Sequence, residues 1–422
     1  VLVPQHLNLS ISRLALIKEV HYNSIIEEIR QNLLKAIEKK NSPFGGKLYE
    51  NGIINNLKTL NNEIGVTFIP PKQYSCYSFA QEDDYADGLL IYNTTHTKGI
   101  NHWFYELWES ECSSGVNPLE QFKSKVKFHR NITAIIRNNK FKIAKRYPDA
   151  DIKACLQPLR ITNGSKPVFN FSSALAKWIY LDAAKRSTSI ENDFYIFDSC
   201  TGWGGRLGGA LASCNHLPLK NKYVHYYGTD VNSTTHDNFY KVASFWQEHI
   251  NPNINFELYK SLVPAEVLTD DPIFAQLFGK FDVAMTSPPY FDTEQYSKDP
   301  NQSYLKYPHY NKGGENSWKN GFLKRMIKTT YDLLKVGGEF WLNISNVRSK
   351  NITIPLEHDA VQLAKQVGFK HLLTYKMITP NIYNIIEDQA KNRIDGKKVE
   401  RVNIVIHEGK ELKFEPIFVF KK

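Results

Sequence analysis

The stretch FYIFDSCTGWGGRLGGAL, residues 194–211, carries the reading on which the fold depends. An apolar and aromatic run ends at Asp198, a glycine-rich bend follows, and small and apolar residues then recur at helical spacing. A short apolar run of strand length delivering a bend and then a helix is half of a βαβ unit. Gly202, Gly204 and Gly205 let the backbone approach a ligand without Cβ interference. The spacing is neither GxGxxG nor GxxxxGK[ST], so a nucleoside triphosphate would find no lysine and no Ser/Thr for its magnesium. Taken alone, the same turn also suits a tight connection that binds nothing.

Working outward, the pattern repeats. Strand-like runs occur at 225–231 (HYYGTDV), 254–259 (INFELY), 281–287 (FDVAMTS), 338–345 (GEFWLNIS), 371–378 (HLLTYKMI) and 416–420 (PIFVF). Helical patterns lie between them, clearest at 235–249, 318–335 and 356–367. Alternating strands and helices predict a parallel sheet covered on both faces. The last strand has no helix before it; RVNIVIHEGKELKFEPIFVF reads as a hairpin turning at Glu-Gly-Lys, which predicts that the sheet ends in an antiparallel pair. Before about residue 165 the chain is tyrosine-rich and less regular, with helical patterns at 11–40 and 118–145 and a turn at Gly45 and Gly46. That segment suits a recognition domain or a packing extension.

Composition bounds the class. The 422 residues, 42% hydrophobic and 13% aromatic, suffice for two cores and exclude a disordered or fibrous chain. Lys and Arg total 53 against 43 acidic residues, a net charge of +10 that suits a polyanionic partner. The five cysteines (Cys76, Cys112, Cys155, Cys200, Cys214) form no CxxC pair, which argues against a disulfide scaffold or a zinc site and fits a reducing cytoplasm. No apolar run approaches the roughly 18 residues that would span a membrane, and the start lacks the pattern of a signal peptide. The expectation is a cytoplasmic protein with no membrane partner and no metal.

Two further stretches point to chemistry. GTDVN (228–232) ends its strand with Asp230, placed to accept hydrogen bonds from ribose hydroxyls at the carboxyl end of a parallel sheet. FDVAMTSPPY (281–290) ends its strand with Ser287-Pro288-Pro289-Tyr290. Two prolines fix φ and remove donors, leaving the Pro288 carbonyl as an aimed acceptor. Ser287 adds a hydroxyl acceptor and Tyr290 a stacking face, a set suited to an amino group on a flat base.

In this order, the three stretches resemble the cofactor and catalytic motifs of the S-adenosylmethionine-dependent amino-methyltransferases that act on DNA. In that family an (Asp/Asn/Ser)-Pro-Pro-(Tyr/Phe/Trp) motif holds the target amino group. The resemblance covers roughly 166–422 and is supported by LKVGGEFWLNISN (334–346), by FEPIFVFKK (414–422) and by KPVFNFSSALAKWIYLDAA (166–184), similar to the segment that closes over the cofactor's methionine end. It implies an α/β fold, a doubly wound, mostly parallel seven-stranded Rossmann-like methyltransferase domain at 166–422, behind a mixed recognition domain at 1–165. It implies S-adenosylmethionine as cofactor, with Asp198, Gly202 and Gly204 along the methionine part, Asp230 at the ribose and Val231 near the adenine. Lys260-Ser261 stands about where the family contacts adenine, so Ser261 counts among the expected cofactor-binding residues, as does Cys200, small for packing within the glycine loop. Ser287, Pro288, Pro289 and Tyr290 would form the pocket for a base flipped out of duplex DNA.

Within the resembled family, Ser at the first motif position favours cytosine over adenine. Ring-carbon methylation would need a Pro-Cys nucleophile, and the chain has none. The family often adds a large recognition domain after the catalytic strands. Here recognition falls to 1–165 and to the loop 291–318, where Tyr296, Tyr304, Tyr307 and Tyr310 alternate with Lys298, Lys306 and Lys312. Membership would also allow a restriction endonuclease or another system partner. Two rival readings stand beside this one: an RNA or tRNA base amino-methyltransferase, and a catalytically silent DNA-binding subunit of the same fold.

Overall fold

The computed structural model describes residues 10–38, 50–77, 87–112, 117–138, 159, 168–187, 193–349, 352–378 and 403–422. The turn expected at Gly45 and Gly46, Cys155 and the end of the 118–145 pattern lie outside them. The chain divides into two units. One comprises Val1–Ile53, Asn101–Phe169 and Glu294–Ser297; the other comprises Ile54–Ile100, Asn170–Thr293 and Lys298–Lys422.

The smaller unit is mainly helical where described. Its helices are α1 (Ile11–Leu16) and α2 (Glu19–Glu38), then, after α3 (Glu50–Asn62), which runs from one unit into the other, α4 (Pro118–Lys123) and α5 (Lys125–Ile136). The expected helix over 11–40 is broken at Ile17, whose extended backbone (φ −68°, ψ 139°) ends α1. Tyr22, Ile26, Ile29 and Leu33 recur at helical spacing and are buried, as are Phe128, Ile132 and Ile135 on α5, against which α2 packs. Arg30 donates to the carbonyls of Phe122 and Lys123, satisfying the end of α4, and is paired with Glu27.

The larger unit is built on an eleven-stranded sheet. Its strands are β1 (Val66–Ile69), β2 (Ser75–Tyr77), β3 (Asp87–Tyr92), β4 (Asp193–Asp198), β5 (Tyr223–Thr229), β6 (Phe256–Ser261), β7 (Phe281–Thr286), β8 (Leu334–Asn343), β9 (Lys370–Ile378), β10 (Ile404–His407) and β11 (Lys410–Lys421). They lie in the order β1-β3-β9-β11-β8-β7-β4-β5-β6, with β10 pairing to β11 and to β2. From β6 to β8 every pairing is parallel, and β11 runs antiparallel to both β8 and β9. The doubly wound α/β architecture expected from the alternating pattern is present, with a parallel centre, but the expected seven strands (β4–β9 and β11) are extended to eleven by β1, β2, β3 and β10, which adds antiparallel pairings at β1, β2 and β10.

The flanking helices are α6 (Ser173–Arg186), α7 (Gly205–Ser213), α8 (His236–His249), α9 (Arg325–Leu333) and α10 (Leu356–Val367). Phe197, Phe281, Phe340 and Phe420 join Ile327, Leu333, Ala360 and Leu363 in one core. Phe194 and Ile196, alternate residues of β4, are buried on the opposite face. Gly209 marks how closely α6 and α7 pack: a Cβ there would lie 2.5 Å from Ala176 Cβ and 2.7 Å from Lys177 N. Among the described residues, no helix is long and apolar enough to cross a membrane.

Two expectations are revised. The hairpin forms, with Glu408 and Gly409 both at positive φ as a two-residue turn of the mirror-image type requires, but it does not end the sheet. Strand β11 is inserted between β8 and β9, and the far edge of β9 is taken by β3, in parallel, and then by β1. For the same reason the division is not a single cut at 165. Residues 54–100 supply strands to the sheet and are pinned to α6 by its buried Lys177, whose ammonium donates to the carbonyls of Leu60 and Glu63.

Candidate functional site

Strand β4 is the switch point of the sheet: β5 lies on one side and β7 on the other, and their following connections leave in opposite directions. In open α/β sheets, ligands bind outside the carboxyl ends of the strands at such a point. All three motifs read from the sequence end there.

The loop from β4 to α7 bends through Gly202 (φ 58°) and Gly204 (φ 69°), a backbone region open to glycine and costly for other residues. Beyond Gly202 the space is open: a Cβ at this position would have the Cys200 carbonyl, 4.0 Å away, as its nearest neighbour. Gly205 serves packing instead, since a Cβ there would strike the Phe171 carbonyl at 2.1 Å. Asn170, in the segment before α6, fastens the loop: its Oδ1 accepts from Gly205 N (3.1 Å) and its Nδ2 donates to the Trp203 carbonyl (2.7 Å).

Asp230 closes the loop from the next strand. Its Oδ2 accepts from Gly202 N at 2.8 Å and its Oδ1 from Asn232 N at 2.9 Å. The glycine bend and the acidic strand end are thus a single hydrogen-bonded feature. Asp230 is half-buried, and each carboxylate oxygen keeps a lone pair for hydroxyl donors. Val231 beside it is also half-buried, so an apolar surface adjoins the carboxylate.

Asp198 has a different place from the one expected. It is fully buried, and its Oδ2 accepts from Arg206 Nε (2.7 Å) and Tyr226 OH (2.6 Å), while Oδ1 accepts from Cys200 N (3.2 Å). Arg206 also donates to the Cys200 carbonyl. This carboxylate shapes the glycine loop from beneath and does not line it. Arg206 lies within the quoted stretch, but an arginine in the first turn of a helix gives no sign of its partner until the loop is folded over it.

Ser261 is likewise engaged elsewhere. Its hydroxyl donates to Asp271 Oδ2 at 2.6 Å and accepts from Val263 N at 3.1 Å. Burial would raise the Asp271 pKa, yet donation from Ser261, Tyr259 and two backbone amides outweighs it and holds that carboxyl below its usual range. Ser261 therefore stabilises the turn after β6. Lys260 is buried with its ammonium 5.1 Å from the Phe239 ring centroid, and burial lowers its pKa although Asp230 and Asp237 oppose the shift. Burial, then Asp230 and Asp198, push the Cys200 thiol well up, so it stays protonated and poorly nucleophilic.

On the other side of β4, strand β7 is buried throughout and delivers Ser287, Pro288, Pro289 and Tyr290. Pro288 is buried, whereas Ser287, Pro289 and Tyr290 are half-exposed. The turn is completed by Phe291 at φ 56°, a conformation that costs a non-glycine residue roughly 1–3 kcal/mol unless packing enforces it. Packing does so: the Phe291 ring is buried against Tyr310 (5.6 Å between centroids) and Trp318 (5.8 Å). The Tyr290 hydroxyl lies 3.2 Å from Asn343 Oδ1 at the end of β8 and 3.3 Å from Glu415 Oε2 on β11. Neither partner is visible from the motif itself, although both fall within the flanking matches.

The loop 291–318 is thereby corrected in part. Tyr307 and Tyr310 are buried, Tyr310 donating to Asp359 Oδ2 at 2.6 Å, and Lys306 is paired with Glu266 at 3.0 Å. They hold the motif's turn and offer no stacking face.

No protein-family model matches the chain, and no curated protein matches it. Among solved structures it is similar to a SAM-dependent methyltransferase from Methanosarcina mazei, at 12% identity over 55% of this chain and 94% of that one, with a TM-score of 0.31. It is similar also to an arsenic(III) S-adenosylmethionine methyltransferase from Chlamydomonas reinhardtii, at 12% identity over 58% and 73% with a TM-score of 0.30. A geranyl diphosphate methyltransferase in complex with SAM gives 10% identity over 59% and 84%, with a TM-score of 0.32. The strand order, rather than these likenesses, defines the fold.

Proposed function

We propose that this chain transfers a methyl group from S-adenosylmethionine to the exocyclic amino group of a base flipped out of duplex DNA, with cytosine preferred over adenine. The observation that carries the reading is the convergence at β4. The Asp230–Gly202 bond lies on one side, and the Ser-Pro-Pro-Tyr turn ends the adjacent strand on the other.

The residues fit the cofactor. Gly202 leaves open space where its Cβ would stand, and Asp230 retains acceptor capacity for two ribose hydroxyls. Val231 supplies apolar surface for the adenine. Asp198 supports this site from below through Arg206 and Tyr226. When bound, S-adenosylmethionine supplies an electrophilic methyl group on a sulfonium.

The chain's own groups act on the acceptor. An exocyclic amino nitrogen is a poor nucleophile because its lone pair is delocalised into the ring. The Pro288 carbonyl and the Ser287 hydroxyl accept its two N–H bonds and favour a pyramidal nitrogen, while Tyr290 stacks on the base. Catalysis then comes from positioning and electrostatics. The net charge of +10 supports a polyanionic partner.

The test is transfer from labelled S-adenosylmethionine to mixed-sequence duplex DNA and to total RNA, with nucleoside mass analysis. N4-methylcytosine in DNA is the expected product. N6-methyladenine would reverse the base preference, and label in RNA alone would overturn the DNA reading. Ser287→Ala and Tyr290→Ala are expected to keep cofactor binding and to lose turnover by about a hundredfold or more. Unchanged activity in both would refute the assigned mechanism.

A further inference from the structure

Glu415 lies outside the three motifs, yet its carboxyl meets the hydroxyl of the one aromatic residue assigned to stack on the target. Tyr290 OH is 3.2 Å from Asn343 Oδ1 and 3.3 Å from Glu415 Oε2. The amide of Asn343 is orientated independently, because its Nδ2 donates to the Pro416 carbonyl at 3.0 Å, so its Oδ1 is left as an acceptor toward the phenol. A phenol carries a single hydrogen, and here it faces two acceptors. With Glu415 ionised, that hydrogen serves one contact at the expense of the other. With Glu415 protonated, the carboxyl donates to the phenol oxygen and the phenol donates to Asn343, so both contacts are satisfied. We propose that Glu415 is a positioning residue that sets the ring of Tyr290 through this proton-dependent pair of hydrogen bonds; the consequence for turnover rests on the methyl-transfer reading above.

The surroundings hold the Glu415 carboxyl above its ordinary pKa. Burial raises the Glu415 pKa; Lys413 on the same strand and the bonds from Tyr290 and Asn343 oppose the rise, and Glu357 of α10 adds to it. Glu357 is itself buried, with Oε1 accepting from Ser345 Oγ, Asn346 N and Asn403 Nδ2, and burial raises its pKa too. Among the described residues Tyr92 on β3 is a further titratable neighbour, and its own pKa is raised by burial and then by Glu415, so it stays neutral. Among the described residues the carboxyl that meets the Tyr290 hydroxyl is that of Glu415, and Gln at this position preserves a donor where the protonated carboxyl has one.

The test uses the full chain labelled with 13Cζ-tyrosine, the Tyr290 resonance being assigned by its loss in Tyr290→Phe. It is expected to shift with pH, with its midpoint above the ordinary glutamate range. In Glu415→Gln it should stay near the low-pH wild-type position at every pH. Glu415→Gln should keep kcat at low pH and flatten its decline as pH rises. Glu415→Ala should lower kcat about ten- to a hundredfold with a smaller change in KM for S-adenosylmethionine. Neither change should add to the loss already present in Tyr290→Phe. A Tyr290 resonance that ignores pH in the wild type, or still titrates in Glu415→Gln, overturns the proposal whatever the activity. If the resonance behaves as stated while the wild type methylates neither DNA nor RNA, the positioning pair stands and the methyl-transfer reading fails.

Discussion

Replacing Arg206 by Met separates the two roles that Asp198 could have. Asp198 is fully buried and Arg206 is 4% exposed, with the Nε–Oδ2 contact at 2.7 Å. Removing the guanidinium leaves a carboxylate beneath the glycine loop whose donors among the described residues are the Tyr226 hydroxyl and the Cys200 amide. Breaking one side of a buried pair costs about 3–5 kcal/mol. That is a large part of the roughly 5–15 kcal/mol that holds a domain together. Asp198→Asn combined with Arg206→Met removes the charge along with its partner, and should recover all but about 1–2 kcal/mol. Each single variant should therefore lose more than the double variant does, and the two changes should be strongly coupled in a double-mutant cycle. Urea unfolding of the full chain, followed on the transition of the larger unit, gives these values, and calorimetric titration with S-adenosylmethionine gives the second readout. Asp198→Asn should be destabilised while its folded form binds the cofactor within a few-fold of wild type. A variant of wild-type stability that no longer binds would mean that the carboxylate touches the ligand, refuting the argument from burial.

Other outcomes follow from the same geometry. Gly202→Ala places a Cβ in the left-handed region at a cost of about 1–2 kcal/mol and projects it into the open space above the loop, so cofactor affinity should fall at least about tenfold; calorimetry showing equal affinity would remove Gly202 from the site. Gly209→Val should force α6 from α7, since even the first carbon meets Ala176 Cβ at 2.5 Å, and should destabilise the larger unit by about 3 kcal/mol or more in urea. In the smaller unit, hydrogen bonds from Arg30 hold the Glu27 carboxyl down to about 2, against an opposing effect of burial. A folded pKa below the unfolded one gives stability that is present above about pH 4.5 and lost as pH falls toward 2, on the order of 2–3 kcal/mol. Acid titration followed by circular dichroism should show this loss, and Arg30→Ala should abolish most of that dependence.

The sequence by itself determined the alternation of strands and helices in 193–421, the placing of all three motifs at carboxyl ends of strands, and the final hairpin. These are local properties: periodicity sets which face is buried, and glycine and proline set where the backbone turns. Tertiary structure decided what each motif residue does. Asp198 and Ser261 are polar groups at strand ends like Asp230, and nothing in their immediate sequence distinguishes them. Asp198 is turned inward because Arg206 and Tyr226 meet it there, and Ser261 because Asp271 does. Tyr307 and Tyr310 read as surface residues beside their lysines, yet the positive φ of Phe291 needs an aromatic packing that Tyr310 helps to supply. The pairing of β3 with β9 joins residues nearly three hundred positions apart, and the Tyr290–Glu415 contact joins residues 125 apart. Such pairings depend on which surfaces the assembled sheet leaves uncovered, information that no window of the chain contains.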